Sequence, residues 1–196
     1  VVRLLLSKSD IDINKVDNNG ATALMAAAMK GQVEVVRLLL SKSRDIDINK
    51  ADINRATALI IASQKGHLEV VRLLLSKSDI DINKAKDTGA TALHAASETN
   101  CVEVVELLLS KSDIDINKAN DNGATALYIA SWDGHLEVVR LLLSKSGIDI
   151  NKATNQGATA LFIASQLGSV EVVRLLLSKS NIDINKTIDD GTTALY

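Results

Sequence analysis

The sequence has no proline, a single cysteine and very few aromatic residues. Aromatic residues make up 2% of its 196 residues, with one Trp, two Tyr and one Phe. The lone Cys101 excludes an intrachain disulfide and every zinc site that needs several cysteines. Aromatic side chains usually dominate a large core. Their scarcity therefore argues against one central core and favours thin layers of small and aliphatic residues.

Neither sign of charge dominates the chain, and it lacks long apolar runs. There are 22 Lys and Arg residues against 24 Asp and Glu residues, so the formal net charge is −2. Because the basic residues are dispersed, the sequence favours neither nucleic acid nor a membrane surface as a partner. No run of about 18 apolar residues and no signal peptide is recognisable. With 46% apolar residues the chain is expected to fold, in the cytoplasm or another intracellular compartment.

A segment of about 34 residues recurs along the whole chain. Ala-Thr-Ala-Leu occurs five times, and Thr-Thr-Ala-Leu near the C-terminus is a sixth copy. Four of the spacings are 34 residues and one is 35, because Arg44 is inserted. A period of this length predicts stacked structural units instead of a central core. The five copies begin at Ala21, Ala56, Ala90, Ala124 and Ala158.

Each repeat is predicted to contain two short helices. A threonine precedes the first Ala-Leu run, where a side-chain oxygen caps a helix N-terminus. In the fourth copy the helices are expected at 126–133 and 136–143, separated by Gly134 in the left-handed conformation. Asn100 replaces this glycine in the third copy, and asparagine tolerates that conformation well. Helices this short are unstable alone, so neighbouring repeats must stabilise one another.

Each second helix is expected to end at a residue in the left-handed conformation, here called the stop. The Ile-Asp-Ile-Asn-Lys segment that follows is expected to be extended and to lead into a turn. Arg55 stands where the other turns have glycine, so we expect a local distortion with Asn54 in the left-handed region. The predicted stops are Asp10, Asp79, Asp113, Gly147 and Asn181.

These motifs together resemble the ankyrin repeat family. The fourth copy carries Gly-Ala-Thr-Ala-Leu at 123–127, Gly-His-Leu-Glu-Val-Val at 134–139, Leu-Leu-Leu at 141–143 and Asp-Ile-Asn at 149–151. The resemblance implies an all-α ankyrin repeat solenoid of helix-turn-helix units with hairpin-like fingers, and a protein that binds other proteins. The copies depart from the family's Thr-Pro-Leu-His, since alanine replaces the proline in each and only His94 keeps the histidine.

We predict a single ankyrin repeat domain over 1–196, with five full repeats and a partial repeat at each end. Val1 falls within a second helix and Tyr196 within a first helix. Neither end resembles a polar capping repeat, so we expect a piece of a longer array or end-to-end stacking on other copies. The predicted partial repeats are 1–16 and 188–196, and the full repeats are 17–51, 52–85, 86–119, 120–153 and 154–187.

No catalytic, cofactor or metal site is predicted. His67 and His135 lie in equivalent positions two repeats apart, roughly 20 Å at about 10 Å per helix layer, so they cannot share a metal ion. Cys101 occupies the same position and is expected to be a tolerated small residue. The serines and aspartates recur in every repeat, whereas a catalytic group should occur once. The family resemblance also implies candidate targets of asparaginyl hydroxylation, which are Asn83, Asn117 and Asn151.

A partner protein is expected to contact positions that vary between the otherwise constant repeats. Trp132 is the strongest candidate because tryptophan is enriched at interface hot spots; the alternative is that it packs on a neighbouring helix. Tyr128, Phe162 and Tyr196 are interpreted as packing between repeats. The candidates in the turns are Ile53, Asn54, Asp87, Thr88, Asp121, Asn122, Asn155 and Gln156. Those at the ends of the first helices are Gln64, Lys65, Glu98, Thr99, Trp132, Asp133, Gln166 and Leu167.

Two other functions are compatible with the sequence. The array is either a structural scaffold or spacer without a specific partner groove, or a regulatory segment of a larger protein. Glu98, Glu103 and Glu106 make the third repeat acidic, which attracts a basic partner unless these side chains are simply solvated. Failure to capture any partner under gentle conditions would favour the spacer.

Overall fold

The computed structural model describes residues 11–41, 46–189 and 191–194. Within these ranges the chain forms ten helices, and only isolated bridges pair extended residues. The first helices of the repeats are α1 (Ala23–Met29), α3 (Ala58–Gln64), α5 (Ala92–Glu98), α7 (Ala126–Trp132) and α9 (Ala160–Gln166). The second helices are α2 (Val33–Leu40), α4 (Leu68–Leu74), α6 (Val102–Leu109), α8 (Leu136–Leu143) and α10 (Val170–Leu177).

Threonine caps begin the first helices, as the sequence predicts. Thr125 Oγ1 accepts a hydrogen bond from the N–H of Tyr128 at 3.2 Å, and Thr22, Thr57 and Thr159 make the equivalent bond. These bonds satisfy N–H groups that have no partner inside the helix. Each first helix is followed by a left-handed residue, and in the third repeat that residue is Asn100, with φ of 55°.

The helices stack in two layers, and the core repeats in every unit. Each first helix packs against its own second helix and against the first helix of the next repeat, and the second helices form a parallel layer. One fully buried alanine per first helix lets neighbouring helices approach closely. These alanines are Ala28, Ala62, Ala96, Ala130 and Ala164. Valine and leucine side chains of the second helices complete the core, so the solenoid architecture is confirmed.

The segments that follow the second helices differ from the prediction. Lys77 N–H donates to Leu74 O at 3.1 Å, and Ile80 N–H donates to Lys77 O at 3.4 Å. These successive three-residue bonds end the helix without a left-handed residue, so the predicted stops at Asp79, Asp113 and Asn181 are wrong. Only Gly147, with φ of 84°, has the predicted conformation among the stops that the structure describes, and Asp10 lies outside the described residues.

Ile-Asp-Ile-Asn-Lys is a turn and not an extended stretch. In the copy at 80–84, Lys84 N–H donates to Asp81 O at 3.3 Å, and Asn83 N–H donates to the Asp81 carboxylate at 3.1 Å. An aspartate that accepts from the backbone two residues on stabilises such a turn. The prediction overlooked this local competition between side chain and backbone.

Asparagine side chains in these turns join each repeat to the next. Asn83 Oδ1 accepts from the N–H of Asp115 at 2.8 Å, and its Nδ2 donates to the carbonyl of Asp113 at 2.7 Å. The same pair of bonds recurs, so the recurring asparagine has a structural role. The other asparagines with both bonds are Asn49, Asn117 and Asn151.

The end-to-end stacking of copies and the repeat boundaries stay predictions. The inserted Arg44, the first partial helix and Tyr196 all lie outside the described residues.

Candidate partner-binding surface

Five turns, here called the finger turns, project between the second helix of one repeat and the first helix of the next. They comprise residues 17–20, 52–55, 86–89, 120–123 and 154–157. Each turn is bonded through its backbone to the next, as where Asp121 N–H donates to Thr88 O at 3.1 Å and Asn155 N–H donates to Asn122 O at 2.9 Å. The turns therefore form one continuous row with their variable side chains at the surface.

The first residue of a finger turn usually supports the turn with its side chain. Asn120 Oδ1 accepts from the N–H groups of Asn122 and Ala124, both at 3.0 Å. Asp17, Asp52 and Thr154 accept from the backbone in the same manner. Lys86 occupies this position in the third repeat, and an ammonium group has no acceptor. Ile188, in the partial sixth turn, also lacks one.

The last residue of a finger turn is left-handed, and in the second repeat this residue is Arg55. Its φ is 60°, close to the values of 74° and 79° at Gly89 and Gly123. Arg55 N–H donates to Asp52 O at 2.9 Å, as the glycines do in their turns. The predicted shift of the left-handed conformation to Asn54 is therefore wrong. Hydrogen bonds to the flanking turns hold this backbone in the same conformation as in the glycine turns. An arginine in the left-handed conformation costs about 1–2 kcal/mol of backbone strain.

Large apolar side chains are exposed at the ends of the first helices. Trp132 is 51% exposed, Leu167 is 50% exposed and Met29 is 46% exposed. The rings of Tyr128 and Trp132 lie 6.1 Å apart between centroids, with 47° between their planes. Trp132 thus packs on Tyr128 within its own helix while about half of it stays exposed to solvent.

A pocket of about 280 Å³ lies between the third and fourth repeats, where finger turns meet first helices. It brings together four of the predicted candidates, Thr88, Glu98, Trp132 and Asp133. It also contains residues that sequence reasoning missed, among them Lys86, His94, Asn120 and Tyr128. A comparison of the first residue of each finger turn would have revealed Lys86, because lysine occurs there once. Tyr128 is half-buried and lines the pocket, whereas Phe162 in the equivalent position is buried.

His94 forms part of the wall of this pocket and is almost fully buried. Its Nε2 lies 3.1 Å from the carbonyl oxygen of Ala124, which can only accept, so Nε2 carries the proton. Its Nδ1 accepts from the N–H of Thr91 at 3.2 Å, so the neutral ring satisfies both nitrogens. Burial lowers the pKa of His94 below its ordinary value of 6.5. The side chain thus links the first helix of the third repeat to the finger of the fourth.

Stability is expected to fall below pH 6.5 because of His94. Above the ordinary pKa both the folded and unfolded chains hold this ring neutral, so His94 adds no pH dependence there. Between 6.5 and the lowered pKa the unfolded chain binds a proton that the folded chain does not, and the free energy of unfolding falls by at most about 1.4 kcal/mol per pH unit. Urea unfolding of the wild type and of His94→Ile, which copies Ile60, tests this between pH 7.5 and 5. An equal pH dependence in the two proteins would contradict it.

A second depression, of about 530 Å³, lies along the finger turns of the second to fourth repeats. It contains the candidates Asp87 and Asp121, together with Arg55 and Lys86. All sixteen candidate residues are exposed, and their role in binding stays a prediction. The candidates that line neither cavity are Ile53, Asn54, Gln64, Lys65, Thr99, Asn122, Asn155, Gln156, Gln166 and Leu167.

His67 and His135 bridge neighbouring repeats. His67 Nε2 donates to the carbonyl of Met29 at 3.2 Å, and His135 Nε2 donates to that of Glu98 at 3.1 Å. Cys101, in the equivalent position, is partly buried, with its Sγ 3.2 Å from Thr99 Oγ1. In the described part of the chain, no three His, Cys, Asp or Glu side chains cluster as metal ligands. No described helix is both long and apolar enough to cross a bilayer.

The stacked helix pairs and the bonded finger turns define a helical repeat solenoid. The sequence model of the family described as "Ankyrin repeats (3 copies)" matches residues 1–86, 44–120, 84–154 and 114–188, so the chain belongs to the ankyrin repeat family. Ankyrin repeats are generally protein–protein interaction modules, and the fold is not an enzymatic one.

A curated relative shares part of this sequence. Inversin of Danio rerio is 54% identical over 43 residues, which are 21% of this chain and 4% of Inversin. The chain thus matches a small fraction of the length of that protein. This similarity adds to the family assignment.

Proposed function

We propose that this protein holds a partner protein in the groove between its finger turns and its first helices, and that it has no catalytic activity of its own. The Trp132 pocket forms the centre of the proposed site. The partner is a protein because the basic side chains are dispersed and the net charge is −2, a charge that repels nucleic acid.

The half-exposed Trp132 is the observation that carries this proposal. It lines the same pocket as Tyr128, Glu98 and Asp133. A rigid aromatic side chain that is already packed on one face loses little conformational freedom when a partner covers the other. Leu167, one repeat further on, extends the apolar surface along the same helix ends.

The test is the paired substitution Trp132→Ala and Leu167→Ala. Loss of the two exposed apolar side chains should weaken binding of the partner by about 2 kcal/mol or more, since buried hot-spot residues contribute on this scale. Helicity should not change because neither side chain is in the core. The partner is first identified by crosslinking and mass spectrometry in native extract, and its affinity for each purified variant is then measured by calorimetry.

A matched control separates the proposed site from general surface hydrophobicity. Leu177 and Ile184 are also exposed, at 45% and 40%, but lie at and beyond the end of a second helix. Replacing both with alanine should leave the affinity unchanged. If the Trp132 and Leu167 variant binds as tightly as the wild type, the site lies elsewhere.

A spacer function without a specific partner is the alternative. The unbroken inter-repeat bonds of the asparagine side chains and the finger turns favour it, because they make the array continuous from repeat to repeat. This alternative would be supported if no partner is crosslinked while small solutes in the buffer still quench the fluorescence of Trp132.

A further inference from the structure

In two neighbouring finger turns, a basic residue replaces the residue type that most other turns have at the same position. Arg55 takes a left-handed conformation that glycine adopts in the other turns, and Lys86 stands where other turns have a side chain that accepts backbone hydrogen bonds. Each departure lowers stability, through backbone strain at Arg55 and through lost hydrogen bonds at Lys86. Sites where a sequence breaks its own structural rules are often functional.

The two departures lie next to each other in space. The second and third finger turns are joined where Asp87 N–H donates to Asn54 O at 2.9 Å, and Arg55 and Lys86 both line the 530 Å³ depression. Every ion pair within 4 Å in the described part of the chain is a Glu–Arg pair within a second helix. Both cations are therefore available to a ligand.

The other charged side chains around the depression favour a ligand with few anionic groups. Lys84, Lys118 and Asp81 belong to the turn that recurs in every repeat, so they do not distinguish this location. Asp87 and Asp121 also line it, which leaves four basic side chains against three acidic ones. A polyanion would meet these two carboxylates, whereas a single carboxylate brings only one negative charge to Arg55 and Lys86.

We propose that Arg55 and Lys86 bind an acidic side chain of the partner protein. The guanidinium group of arginine matches a carboxylate with two parallel hydrogen bonds, and the lysine ammonium adds a point charge. This inference rests on the proposed function, since it names the chemistry of the partner at the finger turns beside the Trp132 pocket.

The test restores the residues that other repeats carry. Arg55→Gly with Lys86→Asn copies Gly123 and Asn120 of the fourth repeat, so the variant is expected to unfold at a higher urea concentration than the wild type. The probe is a ten-residue Gly-Ser peptide with a single Glu at its centre, titrated at low ionic strength. Amide shifts in ¹⁵N–¹H spectra of the wild type should concentrate in the second and third finger turns. The apparent Kd should rise at least five-fold in the double variant.

A charge-matched control distinguishes the local site from net charge. Lys50→Asn with Lys152→Asn removes the same charge outside the depression and should leave the Kd within two-fold of the wild type. The proposal fails if both double variants lose affinity equally, if Arg55→Gly with Lys86→Asn keeps it, or if the same peptide with Lys in place of its Glu binds the wild type as tightly. The Trp132 and Leu167 experiment changes other residues and uses the native partner, so either hypothesis can fail alone.

Discussion

Replacing Leu108 with alanine is expected to lower the free energy of unfolding by about 2–5 kcal/mol. Leu108 lies on α6 with no exposed surface, and α6 packs between α4 and α8. Truncation leaves a cavity, because a close-packed core relaxes only partly around a deleted side chain. The third repeat is the middle of the five, so both of its interfaces with neighbouring repeats weaken.

The measurement is urea unfolding followed by circular dichroism, with Leu107→Ala as the matched control. Leu107 precedes Leu108 on the same helix and is only partly buried. The same change of side chain should cost about 1 kcal/mol there, in proportion to the smaller apolar area removed from the core. Equal losses at the two positions would contradict the two-layer packing.

Replacing Gly123 with alanine should destabilise the array by about 3 kcal/mol, from backbone strain and steric overlap together. Gly123 has φ of 79°, and a Cβ at this position would lie 2.6 Å from the backbone nitrogen of Asn155 in the next finger turn. A backbone atom cannot move aside as a flexible side chain does. The inter-finger bond from Asn155 N–H to Asn122 O, at 2.9 Å, should therefore lengthen or break.

Gly147→Ala separates the two causes of this loss. Gly147 has a similar φ of 84°, but a Cβ at this position would meet no atom within 4 Å beyond its own chain neighbours. This variant should lose only the conformational part, about 1–2 kcal/mol. The two variants are compared by urea unfolding, and protection of the Asn155 amide from hydrogen exchange should fall in Gly123→Ala alone. Equal destabilisation would mean that the finger turns are not in close contact.

Much of the architecture followed from the period and from local chemistry. The threonine caps and the left-handed Asn100 are determined by residues within one helical turn, so a single copy of the repeat suffices to predict them. The repetition of Ala-Leu and Val-Val-x-Leu-Leu-Leu then required stacking, because such helices are too short to be stable alone.

What escaped prediction depends on bonds between repeats. Arg55 remains left-handed because the turns on either side hold its backbone, and residue propensity alone pointed to Asn54 instead. The turn at Asp81 depends on the carboxylate of that residue as a hydrogen-bond acceptor. The side-chain amide of Asn83 bonds to the following repeat, through Oδ1 to Asp115 N–H at 2.8 Å and through Nδ2 to Asp113 O at 2.7 Å. The alternating Ile and Asp residues alone suggested an extended stretch, because these hydrogen-bond partners cannot be read from one copy of the repeat.

The candidate site was predicted in part. Variation between copies pointed to Trp132 and Glu98, which the structure places in one pocket. Variation at the first residue of each finger turn also singles out Lys86, which was missed. Tyr128 was assigned to packing between repeats, together with Phe162 and Tyr196, and only the structure shows that it also lines the pocket.

The asparagine side chains of the turns have a consequence for how such a chain changes length. Each one reaches only the unit immediately after it, and the junctions made by Asn49, Asn83, Asn117 and Asn151 have the same pair of asparagine bonds. A genetic event that adds or removes one 34-residue unit in register at these junctions leaves each of these asparagine side chains with the same partners. The number of units, and with it the length of the row of finger turns, is therefore free to vary while these bonds are kept.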